Sequence, residues 1–396
     1  MRSRTFYAAS IALPVALFAV HHSLGHRGDI EFFHRWYLAF RESAAFYRDG
    51  PGVNYPILGV LIVTGPARVF DAIAGHALSL EQYWWALKAT LVLGEIFFIM
   101  VVERLLSELK TSRSREWALV LFALPSTWAA SAWFGQIDTW GTVFLMSAAL
   151  WVLRYRADGT TRSLCIALLS LVGALLTKQL TWFAIPFLAA MLLGALRERA
   201  SPKQWAFALG APIAVLVPDP FLTLPPGQHS HLWFIATQGS NHTELAVASG
   251  ASLWSLVARG GTEAASLMWL GADSRIWGWT AFALAEITIL YAAWRQQNPQ
   301  AWILAAGLSE LAMATLLTGV HERYFAHAIP LIVIARGLRG PQWIHVLGVV
   351  ASILAGLFVL TTITPSMPAL FGRPEPVALL SFAWGVSVLA TWRVHP

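Results

Sequence analysis

The sequence predicts an all-α, polytopic membrane protein, a bundle of about twelve transmembrane helices. Three observations carry this. Of the 396 residues, 57% are hydrophobic and only 12% are charged, about half the charged share of a soluble domain, which is roughly 25%. Mean hydropathy is +0.59. The apolar residues gather in runs of spanning length, roughly 17–25 residues, with Lys and Arg at their ends. The net charge of +6 therefore reads as membrane topology, and no nucleic-acid partner is expected. Most of the 20 Trp residues suit the headgroup layer, so membrane lipids are expected around the whole chain.

In chain order the spanning runs are 5–22, 83–106, 117–134, 139–154, 163–178, 180–196, 204–222, 276–294, 299–319, 326–338, 342–363 and 375–393. The first follows Arg2 and Arg4 and has no Ala-x-Ala cleavage site, so it reads as a retained helix. One further apolar run, 55–75, decides the topology. If it stays on one side, most of the 27 Lys and Arg residues share the side of the N-terminus, as the positive-inside rule asks. If it crosses, nearly all of those move outside. Its Pro56, Gly59, Gly65, Pro66, Arg68 and Asp71 predict a broken, non-spanning helix in the outer leaflet, against a protein-lined pocket. The chain then reads as a single membrane domain, 1–396. Its first extracytoplasmic loop covers 23–82, with juxtamembrane helices, and its second covers 223–275. The lone cysteine, Cys165, excludes an internal disulfide.

Polar residues collect on the outer side. After the first helix comes His26-Arg27-Gly28-Asp29-Ile30-Glu31. Asp29 at the membrane surface can serve as a general base, or share a divalent ion with Glu31; the alternatives are a helix N-cap or a pair with Arg27. Asn54-Tyr55-Pro56 opens the 55–75 run. Gly135-Gln136-Ile137-Asp138 joins two spanning runs. Gln136 and Asp138 can hydrogen-bond sugar hydroxyls, or Asp138 can simply cap the next helix. Thr177-Lys178-Gln179 sets a cation in a tight outer turn, and Lys88 lies one to two turns inside its helix. Both suit phosphate, and snorkelling to headgroups is the alternative for Lys88. His321-Glu322-Arg323-Tyr324 is the densest outer cluster. Arg323 can grip phosphate with two prongs, and His321 can donate to it or bind metal. A helix lying in the interface is expected around Ser252-Leu253-Trp254, and Asn241-His242-Thr243 is a formal glycosylation sequon.

Glu95, Glu286 and Glu310 sit in the middle of apolar runs. Ionised carboxylates are costly there, so these suggest a rival reading as a proton-coupled transporter or lipid flippase. No phosphate-binding loop, dinucleotide fingerprint, nucleophile elbow or zinc motif occurs.

Taken together, the acidic residue soon after the first helix, Tyr55-Pro56 ahead of an embedded segment, Gly135-Gln136-Ile137-Asp138, Lys178-Gln179 and His321-Glu322-Arg323-Tyr324 resemble the GT-C superfamily of integral membrane glycosyltransferases. The resemblance is nearest to bacterial mannosyltransferases related to the GPI mannosyltransferases, over roughly residues 5–340. Ile57 stands where that group often has a second proline, and Gln179 follows Lys178 directly where it often has Lys-Pro-Gln. The resemblance implies a polyprenyl-phosphate-linked hexose as donor and a lipid or glycan acceptor. It also implies an extracytoplasmic site in a bacterial inner membrane, and inverting transfer. Asp29 matches the catalytic acidic position, while Lys178, His321 and Arg323 match positions near the donor phosphate. Some members use a divalent metal, Mg or Mn, for which Asp29, Glu31 and His321 are the candidates here.

Overall fold

The computed structural model describes residues 1–21, 25–43, 46–49, 52–241, 244–248, 250–259, 261–321, 323–336, 341–364 and 366–392. Glu322, Arg339, Arg393 and the His242-Thr243 part of the sequon lie outside them. The structure is almost entirely helical. In order the helices are α1 (Ser3–His21), α2 (Arg27–Glu42), α3 (Phe46–Asp49), α4 (Ile57–Ala74), α5 (Leu80–Glu108), α6 (Ser114–Ala123), α7 (Pro125–Trp128), α8 (Asp138–Asp158) and α9 (Thr161–Thr177). There follow α10 (Ile185–Arg199), α11 (Pro202–Leu216), α12 (His231–Asn241), α13 (Ser274–Gln296), α14 (Pro299–Leu316), α15 (Phe325–Arg336), α16 (Gln342–Ile363) and α17 (Pro374–Ala390). The strands described are a two-residue antiparallel pair, β1 (Met268–Trp269) and β2 (Ala272–Asp273).

Among the described residues, five helices are long and apolar enough to cross a membrane: Ser3–Val20 within α1, and α4, α5, α13 and α16. Local chemistry sets their ends. Ser79 caps α5 in a reciprocal box with Gln82, and Asp273 accepts the Arg275 and Ile276 amides to open α13, each satisfying donors that a helix start leaves open. At 29 residues, α5 is about 43 Å long, more than the roughly 30 Å hydrocarbon core.

The structure corrects three expectations. The 55–75 run is not broken: α4 is continuous over 18 residues, with Pro66 inside it. Proline removes one ladder hydrogen bond, and the rest of the ladder carries the helix through. The 117–134 run is not one helix. It divides at Pro125 into α6, α7 and a wide-turned segment, Ala129–Trp133, kinked at Ser131 (φ −89°, ψ −112°). Instead of an interfacial helix, Leu253–Leu256 forms one 3-10 turn, with the Trp254 indole donating to Leu316 O at 2.8 Å.

The chain packs as two compact units. The first comprises 1–122, 128–182 and 195–238, and the second 123–127, 183–194 and 239–396. In the first, α5 packs against α1, α4 and α8, and α8 against α9. An aromatic core of Phe33, Trp36, Tyr37, Tyr55 and Tyr83 lies among α2, α4 and α5. In the second, α14 is buried over nearly its whole length, with α13, α15 and α17 beside it.

Gly59 marks the closest approach in the first unit. A Cβ there would stand 2.1 Å from the Thr177 carbonyl oxygen at the end of α9. Gly59→Ala is therefore expected to cost about 1–3 kcal/mol through overpacking, read as a lower melting temperature in detergent. Gly65→Ala, on the same helix with nothing within 4 Å of its new methyl, should melt no lower than the parent.

Candidate functional site

Asp29 lies in the first turn of α2. It is not the N-cap, which is His26: the imidazole Nδ1 is 3.3 Å from the Asp29 amide nitrogen. Nor does Asp29 pair with Arg27, whose guanidinium binds Glu31 at 2.7 Å. Successive odd positions on a helix diverge around it, and Glu31 is turned away into this exposed pair. The His26 backbone amide donates to Phe134 O at 2.9 Å, and its ring stacks on Phe134 with centroids 4.9 Å apart. The start of α2 is thereby fastened to the segment that carries Gln136. Gly135 supplies the turn between them at φ +101°, a conformation for which glycine has no steric penalty.

Gln136 is the centre of the cluster. Its Nε2 donates to Asp29 Oδ2. Its Oε1 accepts from the Tyr55 hydroxyl and faces Lys178 Nζ at 3.4 Å. With donors on the oxygen side and a carboxylate on the nitrogen side, the amide has only one satisfactory orientation. Gln136 is 2% exposed, whereas the Asp29 side chain keeps 26% of its surface open. The result is a reachable carboxylate on a buried, oriented support.

The other Asp29 oxygen, Oδ1, is 3.1 Å from His26 Nδ1. One nitrogen cannot accept the Asp29 amide and donate to the carboxylate at once. The two contacts call for different tautomers of the ring: a bare Nδ1 accepts the Asp29 amide, and a protonated Nδ1 donates to the carboxylate.

Lys178 stands at a sharp corner. α9 ends at Thr177, Lys178 is extended (φ −157°, ψ 143°), and a 3-10 turn follows over Gln179–Phe183. Thr181 Oγ1 donates to Ala174 O at 2.6 Å and the Trp182 indole to Leu175 O at 2.9 Å, closing carbonyls that the end of α9 leaves open. The Gln179 amide donates to Asn54 O, binding this corner to the strand of chain that carries Tyr55. Lys178 Nζ meets Asp138 Oδ1 at 2.7 Å, with side-chain exposures of 4% and 0%. Asp138 is therefore the buried counter-charge of Lys178 and not a helix cap; α8 has Ile137 at its cap position, without a side-chain bond.

Tyr55 packs against Phe33 and Trp36. Its carbonyl accepts from the Tyr47 hydroxyl at 2.8 Å. Burial, and then the carboxylate of Asp219, push that hydroxyl well above the ordinary tyrosine range, so it remains a donor. Asp219 in turn accepts from His231, both ring and backbone. Lys88 is fully buried, over the Trp84 ring at 5.7 Å, which excludes snorkelling to headgroups. Glu95, two turns further along α5, accepts the Ala132 amide at 3.2 Å, an amide in the kinked segment leading to Gln136. Its burial therefore has a structural use.

His321 and Arg323 belong to the second unit, in the turn before α15. There the His321 ring meets Tyr324 edge-on at 5.4 Å, and the Arg323 guanidinium lies 5.8 Å over the same ring. Also in that unit, Glu310 is buried and Glu286 is half-buried beside Ser309. Among the described residues no three His, Cys, Asp or Glu lie together as a metal site.

His26, Tyr47, Gln179 and Glu95 carry structural roles that the sequence reading did not assign. Histidine is not among the favoured N-cap residues, the Tyr47 hydroxyl meets a carbonyl eight residues on with no turn motif to announce it, and Gln179 and Glu95 act across 125 and 37 positions. No family description matches the chain, and no curated protein matches it in sequence.

Proposed function

We propose that the chain is an integral membrane glycosyltransferase of the GT-C kind, with about twelve spanning helices. It transfers a hexose, mannose by preference, from a polyprenyl-phosphate donor to a lipid or glycan acceptor on the extracytoplasmic side. The observation that supports this best is the partly open Asp29 carboxylate, held by an amide that Tyr55 and Lys178 orient. The acceptor hydroxyl attacks the anomeric carbon from the face opposite the phosphate. Its proton passes to Asp29 as the new C–O bond forms, the sugar–phosphate bond breaks, and the polyprenyl phosphate leaves with the electron pair. Inversion follows from the single displacement, and one base suffices.

The charges sharpen the assignment. Lys178 is neutralised by Asp138, so its first role is to orient Gln136. The family resemblance assigns Arg323 and His321 to the donor phosphate, Arg323 as a two-pronged grip and His321 as a hydrogen-bond donor. Arg323→Ala is expected to weaken binding of a polyprenyl-phosphate sugar by at least about tenfold, since charge-assisted hydrogen bonds contribute roughly 1.5–3 kcal/mol; equilibrium titration with the donor checks it, and unchanged affinity removes Arg323 from the donor site. In topology, the positive-inside bias keeps α4 embedded without crossing, with the cytoplasmic arginines on the inner face of a bacterial inner membrane. A purified-protein transfer assay, with the product's anomeric configuration determined, tests the reading as a whole.

A further inference from the structure

We propose that the β1–β2 hairpin is a bilayer anchor, which inserts Met268, Trp269 and Leu270 into the leaflet at the Ser274 end of α13. These three consecutive residues are 61%, 65% and 77% exposed. Consecutive large apolar side chains at a loop tip mark an interaction surface. The backbone adds a second observation. β1 and β2 pair Met268 with Asp273 and Trp269 with Ala272, leaving Leu270-Gly271 as a two-residue turn with φ +49° and +79°. Such turns favour Asn-Gly or Asp-Gly, because both positions need positive φ. Leucine is a strained choice there, and what it supplies in place of a comfortable backbone is an apolar side chain at the apex.

The occupant follows from what the hairpin joins. The Trp277 indole donates to Trp269 O at 2.7 Å, and the two rings lie 5.5 Å apart, bracing the hairpin on the first turn of α13. That helix is apolar and long enough to span, and its Ile276, Trp279, Leu284 and Ile287 are 46–65% exposed, an outward stripe suited to lipid. The hairpin tip continues this lipid-facing surface at the helix end, where tryptophan favours the headgroup layer. Asp273 and Arg275, paired at 2.6 Å, supply the polar rim. Apolar groups of this kind settle about 5–10 Å into the headgroup–acyl boundary. The anchor would hold the loop ahead of α13 against the membrane surface. It does not depend on the enzymatic reading.

The test uses the full-length protein with Cys165→Ser and one new cysteine, Leu270→Cys, Met268→Cys or Ser266→Cys, labelled with an environment-sensitive fluorophore. The labelled protein is reconstituted into phosphatidylcholine vesicles. Labels at 268 and 270 should emit at shorter wavelength, be quenched by nitroxide-bearing lipid and be shielded from iodide, while the label at 266 should behave as in water. Equal iodide quenching at 266 and 270 overturns the proposal. So does shielding that disappears as protein is diluted into excess lipid, which would make a second copy the occupant.

Discussion

Purified Asp29→Asn is expected to fold, to bind donor and to lose transfer by roughly 10²–10⁴-fold, the contribution typical of a positioned general base. The substitution isolates chemistry from architecture. An asparagine oxygen can still accept the Gln136 amide, and the site is partly open, so no buried charge is created or stranded. Stability should change by no more than about 1 kcal/mol, the net worth of one hydrogen bond. Transfer by Asp29→Asn at the parental rate would remove Asp29 from the mechanism while leaving the architecture untouched.

Lys178→Met should have the largest effect on stability. Asp138 is fully buried against the Lys178 ammonium, and removing one partner of a buried ion pair costs about 3–5 kcal/mol because the other charge keeps its desolvation penalty. The double substitution Lys178→Met with Asp138→Leu should recover most of that loss, as buried pairs replaced by apolar residues often do. It should not recover transfer, because Gln136 Oε1 has lost one of its two donors. Thermal unfolding in detergent and a transfer assay on the same preparations check both halves. A Lys178→Met protein as stable as the parent would mean that the pair contributes nothing to the fold.

Most helices were legible because long apolar runs announce themselves by composition. The run 342–363 coincides with α16, and 276–294 falls inside α13. The failures have local causes. Pro125 divides the 117–134 run, and the 204–222 run stops at Leu216, just ahead of Pro218 and Pro220, neither of which can donate to a continuing helical ladder. In α4 the reverse occurred, since one proline was tolerated by an otherwise intact ladder. Within the site, residue types were readable and partnerships were not. Asp29 meets Gln136 across 107 positions, and Lys178 meets Asp138 across 40. No local spacing encodes either contact, so the sequence left Asp138 open between a helix cap and a sugar ligand and gave no sign of its ion pair with Lys178.

The most direct test is transfer by the purified chain in lipid, offered a panel of polyprenyl-phosphate hexoses with lipid and glycan acceptors. The account predicts transfer from one member of the panel, mannose foremost, with inverted configuration and dependence on Asp29. Absence of transfer from every donor, together with proton-driven movement of a solute or lipid that requires Glu286 or Glu310, would contradict it and favour a transporter.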